Sequence, residues 1–142
     1  MDLSELDVQA AAENGAAMQL MHPATGEPLE HDGKPITITL MGADSAAFRR
    51  SVALAMAKQS KARDVDLSKA TGEEIMATFD KGERAAVEHL LAVTIGWDNI
   101  VWEGEVLPFS RENAAMVYSR HRWIRDQANK FIGDRTNYLG NG

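Results

Sequence analysis

Apolar side chains recur at helical spacing over most of the chain after residue 44, which favours a fold built mainly from helices. The clearest stripe consists of Ile75, Phe79, Ala86, Leu90, Val93 and Trp97. Thr71 and Glu74 form a capping box that starts this stripe, and Gly82 lies within it, which indicates a kink between two helices. The predicted helices cover about 45–62, 72–80, 83–95, 111–119 and 123–137.

Two stretches before residue 44 have the character of β-strands. Ile36–Leu40 alternates β-branched residues with a period of two, and Ala17–His22 is similar in composition. The intervening segments 23–28 and 31–35 contain the proline and glycine residues that turns require. We therefore expect an antiparallel hairpin. Since two strands alone are marginally stable in water, the hairpin must pack on helices or join the sheet of another chain.

The length of 142 residues suits a single domain. Residues 1–15 are acidic and alanine-rich, and we interpret them as a flexible arm with at most a short helical turn. Residues 16–139 form the predicted domain, and 140–142 form a tail. The expected fold class is mainly α, loosely α+β, with an N-terminal β-hairpin packed on about four helices. Within this domain Gly96 is interpreted as a helix C-cap, followed by an aromatic-rich loop over 96–109.

Charge is distributed unevenly along the chain. The formal net charge is −6, which argues against nucleic acid as the main partner. Residues 1–44 contain eight acidic residues against one lysine, a net charge of −7, whereas 120–135 contain five bases against two acids, a net charge of +3. The two regions either attract each other, within one chain or between chains, or form separate solvated faces.

The residue types that usually carry chemistry do not converge in this sequence. It contains no cysteine, which excludes disulfides and cysteine-ligated zinc. The four histidines lack the spacing of a metal site, and neither a glycine-rich phosphate loop nor a Gly-x-Ser-x-Gly motif occurs. We expect no catalytic residue, no cofactor and no metal. No apolar run is long enough to span a membrane, and residues 1–20 lack the basic residues of a secretory signal.

Aromatic residues are concentrated in the C-terminal half and are the candidates for partner binding. These candidates are Trp97, Trp102, Phe109, Trp123 and Tyr138. One interpretation is that the rings fill the core between helices, which is favoured for Trp97 and Trp123. The other is that they form an apolar anchor for a partner. The two interpretations are equally favoured for Trp102 and Tyr138. Six methionines after the first residue suit adaptable packing or a tolerant binding surface.

The C-terminal half also resembles a known family. The segments that carry the resemblance are Val93–Ile100, Leu107–Ala114, Trp123–Gln127 and Asp134–Leu139, with weaker similarity at His22–Glu27 and Gly42–Ser45. They contain a tryptophan after a helix, a Phe-Ser-x-Glu-Asn-Ala helix start and a final Asn-aromatic-Leu. In these features the chain resembles the tail assembly chaperones of long-tailed bacteriophages.

The resemblance implies a non-enzymatic role in the cytoplasm of the infected host. Such chaperones bind the tape-measure protein, promote assembly of the tail-tube protein around it and leave before the virion is mature. The family often makes a longer product by ribosomal frameshifting, and self-association is a further expectation. The resemblance implies neither nucleic acid nor membrane as a partner. Alternative classes are a structural virion protein, such as a tail-completion or head–tail joining component, and an enzyme or regulator.

Overall fold

A computed structural model describes residues 2–61, 68–69 and 71–139 of the chain. The α-helices are α1 (Val8–Asn14), α2 (Ala46–Lys61), α3 (Gly72–Val93), α4 (Arg111–Arg120) and α5 (Arg122–Ile132). The strands are β1 (Ala16–Gln19), β2 (Glu30–His31), β3 (Lys34–Pro35), β4 (Thr37–Leu40), β5 (Thr94–Asp98), β6 (Val101–Trp102) and β7 (Glu105–Val106). Short 3-10 helices lie at Leu3–Leu6 and Arg135–Asn137. The expected mainly helical fold with some β-structure is confirmed.

The predicted antiparallel pair of strands is present as part of a larger sheet. β1 pairs with β4, placing Met18 opposite Ile38, and the chain between them contains the small β2–β3 ladder. On its other edge β4 pairs with β5, so the sheet has three antiparallel strands in the order β1-β4-β5. The third strand was not predicted. Ile38 and Leu40 of the central strand are fully buried, which shows that the sheet packs on the helices rather than facing solvent.

The kink predicted at Gly82 and the helix end predicted at Gly96 are both wrong. α3 is one helix of 22 residues that passes through Gly82, because the cost of about 1 kcal/mol for a helical glycine is small beside the packing of the rest of the helix. The helix ends at Val93, and the next residue, Thr94, already belongs to β5. Its hydroxyl donates to the carbonyl oxygen of Leu90 at 2.6 Å. Residues 96–109 are therefore not simply a loop, since they contain the end of β5 and the β6–β7 hairpin.

The remaining predicted helices agree closely with the structure. α2 and α4 match the predicted spans to within about a residue at each end, and α5 ends at Ile132, five residues before the predicted limit. Ser110 caps α4 by accepting a hydrogen bond from the amide of Asn113 at 3.0 Å.

The acidic N-terminal segment contains more structure than a helical turn. Within it α1 packs against the start of α2, with Ala12 buried. The amide of Gly42 donates to the carbonyl oxygen of Ala12 at 3.0 Å, and the amide of Ala46 donates to the Glu13 carboxylate at 3.3 Å. The segment interpreted as a flexible arm thus ends in a docked helix.

One core connects the sheet to helices α3, α4 and α5. Its buried side chains are Met18, Leu20, Ile38, Leu40, Val87, Leu90, Val93, Ile100, Ala114, Val117, Tyr118, Ile124, Ala128 and Ile132. Tyr118 is the largest fully buried side chain, and its hydroxyl lies 2.7 Å from the Thr94 hydroxyl. This bond ties α4 to the point where α3 becomes β5.

Substitution of one buried and one exposed leucine tests the described core. Leu90 is fully buried, whereas Leu54 on α2 is 58% exposed. Leu90→Ala is expected to lower the free energy of unfolding by about 2–5 kcal/mol, because it removes buried apolar contacts and leaves a cavity. Leu54→Ala, the matched control, is expected to change it by less than about 0.5 kcal/mol. Urea denaturation followed by circular dichroism measures both values, and equal effects would contradict the described core.

Candidate functional site

The aromatic-rich segment forms a β-hairpin that is fixed at its base and projects toward the α4–α5 junction. The amide of Leu107 donates to the carbonyl oxygen of Ile100 at 2.8 Å, and β6 and β7 continue the ladder from there. The tip residues Glu103 and Gly104 have φ values of 52° and 85°. Positive φ at both central positions is what a type I′ turn requires, and glycine adopts it without strain.

Trp97 and Phe109 lie together at the base of this hairpin. The Trp97 indole donates to the carbonyl oxygen of Leu107 at 2.9 Å. Its ring meets that of Phe109 edge to face, with 5.2 Å between the ring centroids. Trp97 is half-buried and packs against the core, whereas Phe109 is 39% exposed. The interpretation that the ring fills the core therefore fits Trp97. Phe109 keeps part of its ring exposed to solvent.

Trp102 is placed near the hairpin tip, where it contacts the junction between α4 and α5. Its ring lies 5.3 Å from the His121 ring, which in turn lies 5.9 Å from the Trp123 ring. The Arg120 guanidinium lies 5.7 Å from the centroid of the Trp102 ring, within cation–π range. Burial, and secondarily the charge of Arg120, lowers the pKa of His121. Trp123 also packs against the core, so this group joins the hairpin to the helices.

Tyr138 lies far along the chain from these rings and packs beside the N-terminal part of the fold. Its ring is 5.7 Å from that of Phe131. A Cβ atom at Gly42 would lie only 3.0 Å from the Tyr138 ring, which shows how closely the backbone and the ring approach. The Tyr138 hydroxyl is buried and has no hydrogen-bond partner among the described residues. The five predicted aromatic residues are therefore divided among three places, and their role in partner binding stays a prediction.

Several apolar side chains on α2 and α3 are exposed. They are Val52 and Met56, one turn apart on α2, and Ile75, Met76 and Phe79 on α3, and we call them the α2–α3 apolar surface. Phe48 and Leu90, on the same helices, pack into or against the core. The predicted stripe on α3 is thus exposed at Ile75 and Phe79 and covered at Leu90, and Met56 on α2 is 64% exposed. Clusters of this kind often mark interaction sites.

A groove of about 530 Å³ lies between α3 and the α4–α5 junction. Phe79 and Val87 give it apolar walls, and Arg84, Arg122 and Arg125 line it together with Asp80 and Glu83. Arg125 is almost fully buried, donates to the carbonyl oxygen of Tyr118 at 3.2 Å and forms an ion pair with Glu83. These partners satisfy its charge.

One ion pair within the chain joins the acidic and basic regions of the sequence. The Arg135 guanidinium donates two hydrogen bonds to the Asp44 carboxylate, at 2.7 and 2.9 Å. This bond to Arg135 holds the pKa of Asp44 below its ordinary value. The acidic and basic regions therefore attract each other at one position, while other members of both groups stay free to pair elsewhere.

The histidines of the described residues serve structural contacts or lie on the surface. His89 Nδ1 lies 2.7 Å from the Ser51 hydroxyl, and its ring meets Phe48 edge to face at 4.8 Å, which joins α3 to α2. Burial lowers the pKa of His89. Within residues 2–61, 68–69 and 71–139, no group of three or more metal-ligating side chains lies together. None of the helices in these ranges is both long and apolar enough to cross a membrane.

Comparison with known proteins yields no relative for this chain. No protein family model matches it, and neither the curated proteins nor the solved structures contain a significant match.

Both tyrosines are expected to resist ionisation in the folded protein. Burial raises the pKa of Tyr118 to about 12, although its bond to Thr94 opposes the shift, and burial also raises the pKa of Tyr138. Since the unfolded chain loses these protons near pH 10 and the folded chain holds them, stability is expected to fall as the pH rises from about 10 to 12. The tyrosinate absorbance measures this effect, with urea-unfolded protein as the control. A tyrosine that ionises in the folded protein at the unfolded pKa would contradict the described packing.

Proposed function

We propose that this protein is a bacteriophage tail assembly chaperone that binds the tape-measure protein and promotes assembly of the tail tube. It acts without catalysis in the host cytoplasm and leaves before the virion is complete. Two observations support the proposal. The C-terminal half carries the sequence features of that family, and the structure exposes a sizeable apolar surface on α2 and α3.

The α2–α3 apolar surface is the observation that carries the proposal. Met56 and Met76 are among its most exposed members, and methionine side chains adapt to irregular apolar partners. Two adjacent helices with exposed apolar stripes suit a partner that presents an apolar helix. A chaperone for a long, hydrophobic protein requires such a surface. The net charge of −6 helps to keep a protein with exposed apolar residues in solution.

The predicted aromatic residues take a secondary place in this proposal. Phe109 and Trp102 contribute solvent-facing edges at the hairpin formed by residues 100–107, whereas Trp97 and Trp123 support the hairpin from the core side. We therefore assign the main contact with the tape-measure protein to the α2–α3 apolar surface and a supporting contact to Phe109 and Trp102.

Coexpression with the tape-measure protein of the same phage tests the proposal. The chaperone is expected to raise the soluble yield of the tape-measure protein, and Met56→Ser with Ile75→Ser is expected to lower that gain several-fold, because polar side chains replace the apolar contact. Phe109→Ala with Trp102→Ala is expected to have a smaller effect. The matched control is Val106→Ser with Leu139→Ser, which also removes two exposed apolar side chains but leaves α2 and α3 unchanged.

Thermal unfolding of each variant shows whether the fold is retained. If the intact protein gives no gain in soluble tape-measure protein, the proposal is wrong. Stoichiometric presence of the protein in purified virions would also contradict it and would favour a structural virion component.

A further inference from the structure

The N-terminal 3-10 helix presents an apolar edge to solvent. Leu3 is 78% exposed and Leu6 is 45% exposed, and no residue of this helix is buried. Side chains three residues apart lie above one another in a 3-10 helix, so the two leucines form one edge. Asp2 and Glu5 have the same spacing and form an acidic edge beside it.

The acidic residues of this segment have no basic partner in the described part of the chain. The Asp2 and Asp7 carboxylates accept hydrogen bonds from the backbone amides of Ser4 and Ala10, which fixes the conformation of the segment. The Glu5 carboxylate makes no such contact. Residues 2–7 therefore form a preorganised acidic and apolar segment with a charge of −3.

The groove between α3 and the α4–α5 junction has the opposite character. It contains three arginines against two acids, an excess of one positive charge. Arg125 is already paired with Glu83, whereas Arg84 and Arg122 form no ion pair within the part of the chain that the structure describes. Phe79, which is 53% exposed, supplies apolar surface next to these arginines, whereas Val87 is buried.

We propose that this groove binds residues 2–7 of a second copy of the chain. Leu3 and Leu6 of one copy pack against Phe79 of the other, and Glu5 lies near the Arg84 and Arg122 guanidinium groups of the groove. Both surfaces are exposed in the single chain, and their charges are opposite. Their association buries apolar area and pairs charges that otherwise stay unpaired.

In the described chain residues 2–7 lie outside the groove. Leu3 is 78% exposed, and none of residues 2–7 lines the groove. Arg84 and Arg122 form no ion pair with Asp2, Glu5 or Asp7 in the part of the chain that the structure describes. The groove is therefore open to the same segment of another copy.

Because donor segment and groove are different surfaces, each copy can donate to one neighbour and receive from another. The contact is heterologous, so association runs head to tail. It depends in part on exposed charges, so it weakens as ionic strength rises.

Charge reversal on each side of the contact tests the proposal with the purified protein alone. Glu5→Lys and Arg122→Glu are each expected to weaken self-association about tenfold in sedimentation velocity, because each creates a like-charge contact. An equal mixture of the two variants is expected to associate like the unchanged protein, since Lys at 5 then faces Glu at 122 and Glu5 faces Arg122. Both sites are exposed, and a carboxylate is favourable at the first residue of α5, so the fold is retained.

A second pair of variants tests the apolar part of the contact. Leu3→Ser with Leu6→Ser is expected to weaken self-association, whereas Leu54→Ser, which removes a similarly exposed leucine outside both surfaces, leaves it unchanged. A protein that stays monomeric from low to high micromolar concentration would overturn the proposal. So would association that is unaffected by the Glu5 and Arg122 variants, or a mixture that fails to restore it. None of these measurements uses the tape-measure protein, so the outcome does not depend on the proposed function.

Discussion

The pairing of β4 with strands on both of its edges is the constraint from which the rest of the structure follows. β4 receives β1 from the N-terminal part of the chain and β5 from the C-terminal part, so it joins two regions more than fifty residues apart. Ile38 and Leu40 are fully buried on this strand, and they fix which face of the sheet the helices cover. Because β5 follows α3 without an intervening residue, the position of β5 in the sheet also fixes the position of the C-terminal end of α3.

The exposed surfaces of the molecule result from that arrangement. The sheet, α4 and α5 cover α3 around Leu90 and Val93, and they do not extend to its first turns. The apolar stripe of α3 therefore continues beyond its cover, and the stripe of α2 does the same. The groove beside Phe79 begins where this cover ends, and its arginines come from the junction of α4 and α5. An exposed apolar surface and a charged groove thus lie next to each other for a geometric reason.

The sequence predicted the elements better than it predicted what they contact. Periodicity located α2, α4, α5 and the β1–β4 pair, because caps and alternation are local signals. β5 was missed because Val93, Thr94 and Ile95 continue an apolar run in which helix and strand look alike. The periodicity also identified the stripe from Ile75 to Trp97, but it did not show that Ile75 and Phe79 are exposed while Leu90 and Val93 are buried. Whether an apolar stripe is covered depends on how far other helices and strands extend over it, and the periodicity of the sequence carries no information on that. For the same reason the groove around buried Arg125 could not be predicted. The opposite charges of the two regions left attraction and separate solvated faces as alternatives, and the structure shows one contact, between Asp44 and Arg135.

The direct passage from α3 into β5 gives the molecule a mechanical property. α3 has 22 residues and is about 33 Å long. Its far end is uncovered, and its near end is held by the Leu90, Thr94 and Tyr118 hydrogen bonds. A load applied to the first turns of α3 passes directly into β5 without an intervening loop, so the helix acts as a lever on the edge strand of the sheet.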